Sequence, residues 1–230
     1  MLQAFVLGAA AQSSLLLSGL LPYAVRIPDR VVGMLAGLGA GALISAIAFD
    51  LVPEADAIST PEVALWFIVG ATIFIVADRV IEERFGEGGS AGALGIVLGS
   101  VVDGIPESII FGIQMAGGLP ISAAFLAAVM ISNVPQALAP SSELAASGWK
   151  VARMSAMWGS VVIACGIAAV LGFVVAENLS DATGARAAAL ASGGLLAMLT
   201  NSLVPFAYQK GGAPAGFATV IGFTGALAMA

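Results

Sequence analysis

Two short motifs in this sequence combine a proline with side chains that bind cations. They occupy residues 103–108, with the sequence DGIPES, and residues 132–137, with the sequence SNVPQA. In each motif two polar residues stand four positions apart, and residues at this spacing share one face of a helix. These pairs are Asp103 and Glu107 in the first motif, and Ser132 and Gln136 in the second.

The prolines add a second source of oxygen ligands. Pro106 cannot donate a hydrogen bond to the carbonyl of Val102, and Pro135 cannot donate one to the carbonyl of Ile131. Within a membrane, such a carbonyl must find another partner, and a kink lined by carboxylates suits a water-filled cavity or a cation. Two kinked helices that face each other would form an oxygen-rich site near the middle of the membrane.

The charge of the first motif favours a functional role. Asp103 and Glu107 lie inside a segment that is otherwise uncharged, where each ionised acid costs about 2.5 to 3.5 kcal/mol on insertion scales. No lysine or arginine lies in the core of a predicted span to neutralise them. The two acids are therefore either protonated or bound to a cation.

Further candidate ligands lie near these motifs or in an internal repeat. Asn133 follows Ser132 directly. Asp50 lies one turn before the end of the second predicted span, where it is either part of an ion path or a helix-end residue that faces water. The segment FDLVPEA at 49–55 resembles NSLVPFA at 201–207, which adds Asn201 as a candidate. The two segments end spans of opposite direction, as in inverted-repeat transporters.

The composition limits the class of protein. Of the 230 residues, 60% are hydrophobic and 10% charged, whereas a soluble domain is roughly a quarter charged. The net charge of −6 and the lack of a basic cluster argue against nucleic acid as a partner. The absence of histidine excludes Ser-His-Asp and Cys-His hydrolases, and the single cysteine, Cys165, excludes an internal disulfide.

We predict an all-α membrane protein with eight transmembrane helices in a single domain, residues 1–230. Segments of about 20 apolar residues span a bilayer, and the predicted spans are 3–22, 31–53, 63–77, 93–114, 121–140, 154–176, 185–207 and 213–230. The first, third, fifth and seventh loops between these spans contain every basic residue except Arg186. The positive-inside rule then places these loops in the cytoplasm and both termini outside it.

With eight spans, outward termini and proline motifs in spans four and five, the sequence resembles the Zrt/Irt-like (ZIP) family of divalent metal transporters. In that family span four carries His-Asn-x-Pro-Glu-Gly and span five a related His/Gln-x-x-Pro-Glu-Gly motif. The DLVPEA segment at 50–55 is also similar to the Leu-Leu-Pro-Glu-Ala ending of the family's second span. Asn201 and Ser202 fall where the seventh helix of the family has a polar or acidic pair.

The resemblance implies a homodimeric carrier in the plasma (inner) membrane, with inverted-repeat character. It implies alternating access, by motion of spans one, four, five and six against the rest, and inward movement of a divalent metal ion. The metal would be the transported substrate, with no organic cofactor. The implied ligands are Asp103, Glu107, Ser132 and Gln136, with Asn133, Asp50 and Asn201 as secondary candidates.

Several positions depart from the family motif. Asp103 stands in place of a histidine, Gly104 removes an amide ligand, and Ser132 and Gln136 replace a His or Gln and a glutamate. The remaining ligands are all oxygens, which suits a single harder ion such as Mn2+ or Fe2+ better than Zn2+.

Two other readings remain. A membrane scaffold or regulator could keep this fold after losing metal ligands, although a scaffold has no need for two costly acids. An intramembrane aspartyl enzyme, with Asp50 and Asp103 as its dyad, is the weakest reading, because neither residue lies in a Gly-x-Gly-Asp setting. We therefore expect no enzymatic activity, and we expect membrane lipid, a divalent metal ion and a second copy of the chain as partners.

Overall fold

A computed structural model describes residues 1–55, 57–85, 89–118, 121–178 and 180–229, and these form helices and connecting turns without a β-strand. Seven of the helices are long and apolar enough to cross a membrane. The chain is therefore a multi-pass integral membrane protein. The helices are α1 Leu2–Leu20, α2 Asp29–Leu51, α3 Thr60–Phe85, α4 Gly89–Ala116, α5 Ala123–Ala146, α6 Val151–Asn178, α7 Asp181–Gly211 and α8 Ala213–Leu227.

The eighth helix is shorter than the sequence predicts. It covers 15 residues, or about 22 Å at 1.5 Å per residue, whereas the hydrocarbon core is about 30 Å thick. The predicted span of 213–230 ends at residue 230, which lies outside the described residues. The prediction of membrane-spanning helices is thus confirmed for seven segments, and the eighth is an apolar helix below spanning length.

Two predicted boundaries fall well inside the observed helices. The third span was expected to end at residue 77, but α3 continues to Phe85. The charged residues that follow extend the helix out of the apolar segment, and Arg79 and Glu83 lie 3.6 Å apart as exposed neighbours one turn apart. The fifth span was expected to end at Pro140, but α5 continues through this proline to Ala146.

The internal repeat has a structural counterpart. Residues Ile47–Leu51 in α2 and Leu199–Leu203 in α7 each form a π-helical turn, and a Val-Pro pair follows both. The proline of this pair cannot donate to the carbonyl four residues before it, and its ring displaces that carbonyl. The amide of the preceding valine donates to the carbonyl five residues before it, as from Val52 to Ile47 at 2.9 Å. The repeat thus places Asp50 and Asn201 in equivalent wide turns.

Contacts between loops show which helix ends lie together. The Tyr23 hydroxyl donates to the Trp149 carbonyl at 2.7 Å, which joins the end of α1 to the start of α6. Lys210, at the end of α7, pairs with Asp29, at the start of α2, at 2.7 Å. We call this the basic end, because its loops carry basic residues. These residues are Arg26, Arg30, Lys150, Arg153 and Lys210.

The helices form two groups around the centre of the bundle. The first group consists of α1, α4, α5 and α6, which contact one another. In the second group, α3 contacts α7, and α2 contacts both α8 and the end of α7. The groups meet where α2 packs on α5 and where α4 packs on α7. Glycines permit the closest approaches: a Cβ atom at Gly222 of α8 would collide with the carbonyl of Leu38 in α2.

Substituting Gly222 therefore tests the packing of α8. We expect Gly222→Ala to destabilise the protein by about 1 to 3 kcal/mol, because the added methyl group meets backbone that cannot rotate away. Gly225→Ala on the same helix is the control, since a Cβ atom there meets nothing within 4 Å. Thermal unfolding in detergent would measure both variants, and equal midpoints would contradict the packing of α8 on α2.

Candidate metal centre

Glu107 lies at the centre of the first helix group. It sits in α4 one position after Pro106, which is inside the helix as predicted, and its side chain is only 1% exposed. Pro135 likewise lies inside α5. The side chain that joins these two helices comes from α1, which the sequence did not predict to take part.

This connecting side chain is Gln12, which is fully buried. Its Nε2 atom donates to Oε2 of Glu107 at 2.7 Å, and its Oε1 atom accepts from Nδ2 of Asn133 at 3.0 Å. The Asn133 nitrogen also donates to the hydroxyl of Ser14 at 3.0 Å. We call these four residues the amide bridge; it links α1, α4 and α5 through buried hydrogen bonds.

The position of Cys165 explains why residue 104 is a glycine, and the Gln12 amide packs beside the same residue. A Cβ atom at Gly104 would lie 2.6 Å from Sγ of Cys165 and 3.5 Å from both Cδ and Nε2 of Gln12. The resemblance to the ZIP motif places an amide at this position of α4. Here residue 104 carries no side-chain amide, and the amide beside Glu107 comes from Gln12 of α1.

The two oxygens of Glu107 differ in their contacts. Oε2 receives the hydrogen bond from Gln12. Within the part of the chain that the structure describes, the buried Oε1 atom has no hydrogen-bond partner. A buried carboxylate oxygen without a partner is costly, and a cation is the partner that would best offset this cost.

Asp103 lies one helical turn before Glu107 and lines a cavity of about 250 Å³. Gln136 of α5 lines the same cavity, so the structure brings together two of the predicted ligands. The cavity is also lined by Ser202 and Phe206 from the second half of α7. Since α5 and α7 both run toward the basic end, the cavity extends from the middle of the bundle toward that end.

Two buried aromatic rings lie on the other side of Glu107. Phe111 follows Glu107 by one turn in α4, and Phe125 is in the first turn of α5. Their centroids are 4.8 Å apart and both side chains are fully buried. This aromatic pair packs between Glu107 and the end of the bundle opposite the basic end.

Three other predicted ligands make different contacts. The Ser132 hydroxyl donates to the Val129 carbonyl of its own helix at 2.9 Å. Asp50 accepts from the Ser122 hydroxyl at 2.6 Å, and Asn201 donates to Asp78 at 2.8 Å. None of these three hydrogen bonds is to Glu107.

The backbone explains the placement of Ser132. A Cβ atom at Gly39 of α2 would lie 2.6 Å from the Cα atom of Ser132, so α2 covers this residue closely. Helical spacing predicts that Ser132 and Gln136 share one face of α5, but Ser132 is not among the residues that line the cavity. Gln136 reaches the cavity and donates to Sδ of Met198 at 3.7 Å.

Neither protein-family models nor curated protein sequences match this chain. The chemistry of the centre must therefore be inferred from its own residues. The described residues contain no group of three or more His, Cys, Asp or Glu side chains spaced to hold a metal ion. Any ion bound here would depend on two carboxylates together with neutral amide and backbone oxygens.

Proposed function

We propose that this protein is a carrier for a divalent metal cation, with Glu107 and Asp103 as its charged ligands. The observation that carries the proposal is the buried Oε1 atom of Glu107, which has no partner among the described residues. The three ion pairs of the described chain involve other acids, namely Glu83, Glu62 and Asp29. Two acids in adjacent turns, without a basic partner, form a site whose charge a divalent cation would balance.

The environment of the two acids supports a path with one open side. The cavity beside Asp103 extends toward the basic end, and the aromatic pair packs on the opposite side of Glu107. Under the positive-inside rule the basic end faces the cytoplasm. The N-terminus then lies outside the cytoplasm, and the cavity lies on the cytoplasmic side of the two acids. The direction of transport that we propose is inward, as the resemblance implies.

The ligand chemistry selects the class of ion. Carboxylate and amide oxygens suit Mn2+ and Fe2+, and they also accept Zn2+. The resemblance to ZIP transporters supports the same class of substrate, together with a homodimer in the plasma (inner) membrane. The grouping of α1, α4, α5 and α6 is compatible with the motion that this resemblance implies.

A second candidate function is a non-transporting scaffold of the same fold. The observation that favours it is the number of predicted ligands with other partners: Ser132, Asp50 and Asn201 each make a hydrogen bond away from Glu107. A scaffold would bind no ion, which separates the two functions experimentally.

Uptake into proteoliposomes distinguishes them. We expect wild-type protein to transport Mn2+, Fe2+ or Zn2+ faster than protein-free vesicles do. Asp103→Asn should lower uptake by about tenfold or more, because it removes one of two charges from the site. Asp181→Asn, an exposed acid at the start of α7, is the matched control. Absence of both flux and bound metal for Mn2+, Fe2+, Zn2+, Cd2+ and Mg2+ would contradict the carrier and support the scaffold.

A further inference from the structure

The donor directions within the amide bridge are fixed by its outermost member. The Ser14 hydroxyl donates its single hydrogen to the Ala11 carbonyl at 3.0 Å, so its oxygen can only accept from Asn133. Asn133 thus uses its two amide hydrogens on Ser14 and on Oε1 of Gln12. This contact turns the NH2 group of Gln12 toward Glu107.

As a result, the amide bridge makes the two oxygens of Glu107 unequal. Oε2 is held by a donor at 2.7 Å, and a hydrogen bond to a charged acceptor is stronger than one between neutral groups. A cation that approaches Glu107 therefore finds Oε1 free and Oε2 already bonded. Binding through both oxygens would place the cation on an Oε2 atom that already accepts from Gln12, so the cation would compete with this donor for the second oxygen.

Divalent cations differ in how much they gain from binding both oxygens. Ca2+ takes six to eight oxygen ligands and often binds a carboxylate through both oxygens, whereas Mg2+ demands near-octahedral geometry and shorter distances. A carboxylate with one free oxygen suits the smaller ion better. We propose that Gln12 is a specificity-determining residue, which holds Glu107 in a one-oxygen binding mode and so favours small divalent cations over Ca2+.

This inference rests on the proposed carrier function, and competition between Mn2+ and Ca2+ tests it. Wild-type protein in proteoliposomes should take up Mn2+ in preference to Ca2+. Gln12→Met keeps a similar side-chain length but removes the donor, so we expect the Mn2+/Ca2+ ratio to fall by about tenfold. Gln3→Met is the matched control, because Gln3 is an exposed amide on the same helix.

Asn133→Leu, which is close in size and adds no charge, provides a second variant with the same expected direction. It removes the donor that orients Gln12, so the amide can rotate and leave Oε2 of Glu107 free. A fall in the Mn2+/Ca2+ ratio in this variant supports the inference even if Gln12→Met does not fold. An unchanged ratio in every folded variant overturns it.

Infrared difference spectroscopy reads the binding mode directly. The separation between the two carboxylate stretching bands differs between one-oxygen and two-oxygen coordination, and Glu107→Gln identifies the bands of this residue. With Ca2+ added, we expect the band separation of Glu107 in Gln12→Met to differ from that in the wild type. If neither the bands nor the uptake ratio changes in Gln12→Met, the role of Gln12 is contradicted but the carrier function is not. If the wild-type protein neither binds nor transports any ion, the carrier function itself is contradicted.

Discussion

Replacing Glu107 with glutamine is expected to abolish metal uptake while leaving the protein at least as stable as the wild type. The substitution keeps the size of the side chain and removes its charge. The wild-type acid is 1% exposed, and one of its oxygens has no partner among the described residues. Removing a buried group of this kind relieves a desolvation cost of about 1 to 3 kcal/mol. We therefore expect uptake at the level of protein-free vesicles, together with an equal or higher unfolding midpoint.

Glu107→Ala should differ from Glu107→Gln in its unfolding midpoint. It abolishes uptake in the same way, but it leaves Nε2 of Gln12 without its acceptor and opens a space at the centre of the bundle. This variant should unfold at a lower temperature than the wild type. Glu177→Gln, an exposed acid near the end of α6, is the matched control. Normal uptake by Glu107→Gln would show that Glu107 is not a ligand.

The helical class could be predicted because the sequence contains long apolar segments and few charges. Helix ends were harder to predict, since the prediction stopped at charged residues and at prolines. In α3 the helix continues past Asp78, because charged side chains are compatible with a helix that extends beyond the apolar layer. In α5 it continues past Pro140, whose missing donor affects one hydrogen bond without ending the helix.

For the candidate site, the sequence could place residues relative to one another within one helix but not across helices. The spacing within one helix predicted that Asp103 and Glu107 lie in adjacent turns. It could not predict that Gln12 bonds to Glu107, because the two residues are 95 positions apart. The available signal was a polar amide in the interior of α1, a helix without charged residues. Such a side chain needs a buried partner, but the sequence does not say which one.

The π-helical turns show how a short repeat can carry structural information. Similarity between two seven-residue segments predicted a relation between α2 and α7, and both helices widen at the same place relative to the Val-Pro pair. The polar residues of the two turns nevertheless bond to different helices. Asp50 bonds to Ser122 before α5, and Asn201 bonds to Asp78 in α3. Local sequence thus predicts the shape of the turn but not the partner of its side chain.

Gly104→Asn should be strongly destabilising, although asparagine is the residue that the ZIP motif, which this segment resembles, has at the matching position. Its Cβ atom would lie 2.6 Å from Sγ of Cys165 and 3.5 Å from the Gln12 amide, so we expect the rest of the asparagine side chain to compete with that amide for space. Overpacking alone costs about 1 to 3 kcal/mol, and displacing Gln12 from Glu107 adds the loss of a buried hydrogen bond to a charged group, about 1.5 to 3 kcal/mol. Thermal unfolding in detergent measures the sum. Gly99→Asn is the control on the same helix, because a Cβ atom there meets nothing within 4 Å.

The same substitution should be tolerated when the space beside it is emptied. In a Gln12→Ala, Cys165→Ala background, the asparagine introduced by Gly104→Asn can fill the space that the two larger side chains leave. Substitutions that share a contact are not additive, so its cost should fall to that of the Gly99→Asn control. This outcome would mean that the side chains of Gln12 and Cys165 exclude a larger residue at position 104. Equal costs in the two backgrounds would instead mean that Gln12 and Cys165 do not determine why residue 104 is a glycine.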